Sequence, residues 1–166
     1  MKKILVVVAI SLAFTSAFAQ VDSDKVLTPM GQLVDQYNAA FDKNVKGTFT
    51  VIYIPGNDDP FTKVYGKFKG KKQTEKNMIF VGGFAAMFDA EWTPAMMKSH
   101  LLKGITDAYG KDSYRILLDL EDKVQKALNV KSIAIIKLKA GKIAEVKEYG
   151  ENRKEFLDVV STYFSK

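Results

Sequence analysis

The sequence predicts an α/β domain with a central mixed β-sheet flanked by helices on both faces. Two observations carry this. First, apolar β-branched runs alternate with segments of helical periodicity, the pattern of a sheet covered by helices. Second, the chain closes as strand, tight turn, strand and helix, and a hairpin requires at least one antiparallel pair, so the sheet is mixed. A third feature sets the energetics. The 166 residues contain no cysteine, so no disulfide holds the fold and a packed apolar core must do so.

The elements follow in order. Residues 20–29 are polar and read as an irregular lead-in. From Gly31, Leu33, Val34, Tyr37, Ala40 and Phe41 fall on one helical face, with Asn44 and Gly47 ending it. Residues 48–54, Thr-Phe-Thr-Val-Ile-Tyr-Ile, are β-branched and aromatic, a buried strand. Pro55-Gly56-Asn57-Asp58-Asp59 breaks it. Asp59 suits a helix cap with Pro60 at the first turn, and Phe61, Val64, Tyr65 and Phe68 form the apolar stripe.

Residues 77–81 are a second strand closed by Gly82-Gly83, and residues 84–92 show no clear period. Thr93 and Pro94 open a helix whose stripe is Met97, Leu101, Ile105 and Ala108, stopped at Gly110. A strand over 114–118 leads through Asp119 into a short helix with Val124, Ala127 and Leu128 inward. Residues 133–138 and 143–149 form the hairpin about Ala140-Gly141. Asn152 and Glu155 make a capping box for a last helix, with Phe156, Val159, Val160 and Tyr163 inward.

The amino terminus has a different character. Lys2 and Lys3 precede an apolar run over 4–14, then Ala17-Phe18-Ala19 supplies small residues before polar Gln20. This is the three-part pattern of a secretory signal peptide over residues 1–19, leaving 20–166 as the domain. The apolar run is short for a membrane span, and no later stretch would cross a bilayer. The expected location is periplasmic or secreted. Loss of Lys2 and Lys3 lowers the formal charge from +6 by two, a mild excess that does not indicate nucleic acid.

Leu117-Leu118-Asp119-Leu120-Glu121-Asp122-Lys123-Val124-Gln125-Lys126-Ala127-Leu128-Asn129-Val130 resembles the strand and short helix before the cis-proline loop of the thioredoxin superfamily. Val130-Lys131-Ser132-Ile133-Ala134 resembles that loop's Val-x-Gly-x-Pro segment, and Lys139-Ala140-Gly141-Lys142-Ile143 resembles the final hairpin. Two departures matter. Gly56-Asn57-Asp58-Asp59-Pro60-Phe61 stands where the redox Cys-x-x-Cys would lie, and Ala134 stands in the cis-proline place. A cis bond before alanine costs about 2.5–4 kcal/mol, so a trans peptide is expected there. Val51-Ile52-Tyr53-Ile54 leading to a Gly-Asn-Asp turn, Ile79-Phe80-Val81, and Ser132-Ile133-Ala134-Ile135-Ile136 are similar to the YtfJ family of periplasmic thioredoxin-like proteins. The resemblance implies a thioredoxin-like, redox-inactive exported domain and supplies no catalytic residues.

Without thiols, thiol–disulfide exchange has no nucleophile, and no cofactor is implied. The leading expectation is a non-enzymatic binding or adaptor protein. Its groove would be formed by Asn57, Asp58, Asp59, Phe61, Ser132, Ile133 and Ala134 and would meet a protein or peptide partner. Asp58 and Asp59 could instead do acid–base work, although capping and turn roles explain them. Asp119, Glu121 and Asp122 lack a full calcium loop and read as turn and cap residues.

The alternative is copper. Met96 and Met97 precede His100 by four and three residues, one helical face, and thioether with imidazole suits Cu(I); Met87 could add a third sulfur. Against this, Met97 also fits the core stripe. The lysines at 63, 67, 69, 71, 72 and 76 read as a solvated face opposite the aromatics. His100 is the only histidine and Ser99 its helical neighbour, so a Ser-His-Asp arrangement is not supported, and no Gly-x-Ser-x-Gly motif occurs.

Overall fold

The computed structural model describes residues 24–44, 46–55, 66–68, 70–71, 73–75, 77–109, 114–150 and 152–164. The expected signal segment and most of the 56–68 loop and helix lie outside these residues. Five strands form one sheet: β1 (Thr48–Pro55), β2 (Met78–Gly83), β3 (Ile116–Asp119), β4 (Ala134–Lys139) and β5 (Lys142–Glu148), in spatial order β3-β2-β1-β4-β5. β1, β2 and β3 run parallel, while β4 is antiparallel to β1 and β5 to β4. Four α-helices lie wholly within the described residues: α1 (Asp24–Gly31), α2 (Pro94–Tyr109), α3 (Lys123–Leu128) and α4 (Arg153–Ser161). The mixed sheet with helices on both faces is as the sequence predicts.

Strand alternation splits the core into two layers. Ile52, Ile54, Phe80, Ile116, Leu118 and Ile135 face α2 and α4, where Leu101, Ile105, Phe156 and Val160 meet them. Val51, Tyr53, Val81, Leu117 and Ile136 face α1 and α3, where Met30, Val124 and Leu128 close the second layer. Val51, Ile52, Tyr53 and Ile54 are wholly buried because β1 is central and covered on both faces. Each such side chain contributes about 1.5–3 kcal/mol of burial free energy, which is how a chain without a crosslink holds together.

Local chemistry explains the boundaries. Ala140 and Gly141 both take positive φ, 51° and 75°, as the two-residue β4–β5 turn requires. Thr93 Oγ1 accepts the Met96 N–H at 3.3 Å at the start of α2. Asn152 Oδ1 accepts the Glu155 N–H, the cap bond expected at α4, but the return bond to Glu155 Oε2 comes at 2.9 Å from the Asn152 side-chain amide, because its backbone N–H donates to the Tyr149 carbonyl. Residues 85–87 form a short 3₁₀ turn within the stretch that has no period.

Two adjoining segments depart from expectation: the lead-in over 20–29, expected to be irregular, contains a helix, and the helix expected from Gly31 does not form. The first helix is Asp24–Gly31, with Pro29 inside it, and residues 33–44 are not helical. The reason is Asp35, which is wholly buried. Its Oδ1 accepts the N–H groups of Tyr37 and Ala39 at 2.9 and 2.8 Å, a side chain offering the backbone an alternative to the helix ladder. Val34 and Asp35 then pair with Leu117 and Leu118, covering the outer edge of β3.

Candidate functional site

The parallel strands end together. Pro55, Gly83 and Asp119 close β1, β2 and β3, and the antiparallel β4 starts at Ala134 at this same end. The chain places β2 and β3 on one side of β1 and β4 and β5 on the other. The crevice outside the strand carboxyl ends at such a reversal is the usual ligand position of open α/β sheets. Tyr53 sits at the reversal, paired with Val81 and Ala134.

Tyr53 is the least satisfied group there. Its hydroxyl is buried and has no hydrogen-bond partner among the described residues. Burial first, then the negative charges of Asp122 and Asp119, push its phenol far up, so it stays a protonated donor. Gly83 makes room for it. A Cβ on Gly83 would lie 2.0 Å from the Tyr53 oxygen and 3.1 Å from Asp122 Oδ1.

Asp119 lies beside them with no exposure. Its Oδ1 accepts the Lys123 N–H at 2.8 Å and its Oδ2 the Val124 N–H at 2.7 Å, which tie β3 to α3. Burial raises its pKa more than these bonds lower it. Asp122 takes a left-handed φ of 52° at the start of α3. Of the acidic residues at 119–122, Asp119 bonds the first N–H groups of α3, Asp122 stands at the helix start without a side-chain cap bond, and Glu121 pairs with Lys123 at 2.6 Å.

The residues of the expected groove fare unequally. Asn57, Asp58, Asp59 and Phe61 lie outside the described residues. Ile133 and Ala134 are buried at 3 % and 0 % exposure, Ile133 in the α2–α4 layer and Ala134 in the other, so their side chains line the core. No cis peptide occurs among the described residues, and the bond before Ala134 is trans as expected.

Ser132 alone of the three reaches the surface, and its loop is clamped. Glu148 Oε2 accepts the N–H groups of Lys131 and Ser132 at 2.7 and 3.0 Å and the Ser132 hydroxyl at 3.0 Å. The Ser132 Oγ accepts the Gly150 N–H at 3.2 Å, and the Ile133 carbonyl accepts from Tyr149. The clamp thus takes up the backbone N–H groups of Lys131 and Ser132 within the chain itself.

The Met/His segment lies on α2. Met96 is half exposed, Met97 half-buried and His100 exposed. The imidazole packs 5.5 Å from Trp92 and 6.0 Å from Phe88, both edge-on, and those two rings lie 5.1 Å apart. The aperiodic stretch therefore supplies aromatic partners for His100. Met87 is exposed close to Phe88 in the chain.

Sequence reading missed Tyr53 and Gly83 as site residues. The available signal was a tyrosine set among the aliphatic residues of a buried strand, since a buried phenol needs a partner.

No protein-family model matches the sequence, and no curated protein sequence matches it. Among solved structures, the chain is similar to the N-terminal domain of PilB from Neisseria gonorrhoeae. The TM-score is 0.54 at 13% identity, covering 81% of this chain and 90% of that one. The same domain of PilB from N. meningitidis gives 0.54 at 12% identity, covering 81% and 94%. StoA from Bacillus subtilis gives 0.48 at 11% identity, covering 77% and 93%. At 12–13% identity the likeness to the two PilB domains speaks for the backbone alone, and with the observed sheet order it makes this a cysteine-free domain of thioredoxin-like fold.

Proposed function

We propose that the protein is an exported, redox-inactive thioredoxin-like binding or adaptor protein of the YtfJ type. It contacts a protein or peptide at the strand carboxyl ends. Three features support the reading: the signal-like residues 1–19, the absence of any thiol, and a thioredoxin-like scaffold. The observation that carries it is the Tyr53 hydroxyl, a donor without a partner among the described residues and under the charge of two carboxylates at the sheet's reversal point. An unsatisfied buried hydroxyl costs about 1–3 kcal/mol, and such costs cluster at functional sites.

Photo-crosslinking in the exporting cell tests this. A photoreactive residue at Ser132 is expected to give a discrete adduct with one partner. The same residue at Lys142, at the far end of the sheet, gives none. Absence of an adduct, or identical adducts from both positions, refutes the reading.

A second reading is Cu(I) binding by Met96, Met97 and His100. It is favoured by a half-exposed thioether four residues from an exposed imidazole on α2. Titration against a Cu(I) chelator decides it. Affinity unchanged in the Met96→Leu, His100→Ala double variant sinks it.

A further inference from the structure

A second cavity lies at the opposite, amino-terminal end of the parallel strands. Its volume is about 340 Å³, and Phe41, Phe49, Asn77, Lys46, Asp42 and Arg115 are among its walls. That size falls in the range of roughly 300–1,000 Å³ common for small-ligand sites. A neighbouring cavity of about 290 Å³ adjoins it through Phe41 and Asp42 and carries Lys43.

Arg115 is the built feature. Its Nε–H donates to Asp35 Oδ2 at 2.5 Å, and Asp35 is wholly buried. Its Nη2 donates to the Ala40 carbonyl at 3.3 Å. Two of the five N–H donors are thereby fixed, and the guanidinium plane is held against the segment that covers β3. Among the described residues nothing takes the remaining N–H groups, and the side chain is 49% exposed. A fork oriented by a buried carboxylate is preorganised for a second carboxylate from solvent.

The rest of the wall defines the ligand's body and charge. Phe41 and Phe49 meet edge-to-face at 5.6 Å, giving an aromatic side to the cavity. Asp35 offsets Arg115, and Asp42 offsets one of Lys43 and Lys46, so the described residues of the two cavities together carry one excess positive charge. One excess charge suits one carboxylate better than a doubly charged phosphate.

We propose that this cavity binds a small organic monocarboxylate with a flat apolar body, its carboxylate on the open edge of Arg115 and its body against Phe41 and Phe49. The site is separate from the strand carboxyl ends, and it stands whether or not a partner binds there.

Phenylacetate is the probe, with phenylacetamide as its uncharged counterpart, titrated into the full chain and followed by amide and aromatic NMR shifts. Saturating shifts are expected at Phe41, Phe49, Asn77 and Ile79, with the amide binding roughly tenfold or more weakly, the scale of a lost charge-assisted pair. Arg115→Lys keeps a cation beside Asp35 but loses the fork, and is expected to weaken phenylacetate roughly tenfold. Lys46→Glu, at an exposed position, weakens it without touching the fold. Four results overturn the proposal: no saturable shift, shifts elsewhere on the surface, equal affinity for acid and amide, or unchanged affinity in both variants.

Discussion

The Tyr53 hydroxyl occupies the space that a side chain on Gly83 would need, 2.0 Å from the position of its Cβ. The phenol carbon bearing that hydroxyl is also close, at 2.9 Å. Tyr53 is wholly buried in the central strand, so the ring has nowhere to retreat. Two substitutions should therefore move stability in opposite directions. Gly83→Ala is expected to cost about 2–3 kcal/mol by overpacking. Tyr53→Phe removes a buried donor without a partner and is expected to gain about 1 kcal/mol. Combined, Tyr53→Phe should recover part of the Gly83→Ala loss but not all, because the ring carbon stays. Urea unfolding of the two single variants and the double variant measures this coupling. Strict additivity would show that the two residues do not compete for the same space.

Asp35 supplies the second prediction. It bonds two backbone N–H groups, holds Arg115, and stops residues 33–44 from forming a helix. Asp35→Ala is expected to cost about 2–4 kcal/mol in urea unfolding, since it frees the turn and leaves the guanidinium without its buried partner. Arg115 is half exposed and can turn to water, which keeps the loss below that of a fully buried pair. Asp35→Asn retains one acceptor and should lose less. Equal losses for the two variants would place the effect in packing rather than in hydrogen bonding.

The same residue shows where sequence reading stopped. The strands, the hairpin at Ala140-Gly141 and the caps at Thr93 and Asn152 were legible because each depends on its own few residues. Residues 33–41 carry a helical period, yet Asp35 decides their structure by bonding the nearby Tyr37 and Ala39 N–H groups while it is held by Arg115, 80 positions along the chain. Periodicity cannot report such a contact. The site followed the same division. Asp119 was readable as a turn residue, but the approach of Tyr53 to Gly83 exists only once β1 and β2 are paired. Ile133 and Ala134 looked available for a groove and are buried because β4 lies between β1 and β5.

Asp119 gives a prediction in pH. Burial, opposed by the Val124 and Lys123 N–H bonds, leaves its carboxyl pKa above the ordinary value of 3.8. The folded chain then holds this proton at pH values where the unfolded chain has released it. Folding stability from this group is full below the ordinary carboxylate pKa and falls as pH rises through the raised value, levelling above it. The stability of wild type minus that of Asp119→Asn, measured from pH 3 to 8 (on the order of one carboxylate titration to each side), should decline with increasing pH. A rise over that interval would contradict the assignment.

Glu148 makes the last prediction. One carboxylate oxygen gathers the Lys131 and Ser132 N–H groups and the Ser132 hydroxyl, fixing the loop in front of β4. These bonds are exposed, so Glu148→Ala should cost only about 1 kcal/mol overall. The local effect should be larger than the global one. Hydrogen exchange at Lys131 and Ser132 is expected to accelerate by roughly tenfold or more, while Ile135 and Ile136 in β4 stay protected, because the loop opens without the sheet. Glu148→Gln keeps an acceptor oxygen and should restore most of the protection. If exchange rises equally in the loop and in β4, the clamp belongs to the global core. If it rises nowhere, the backbone holds this loop without Glu148.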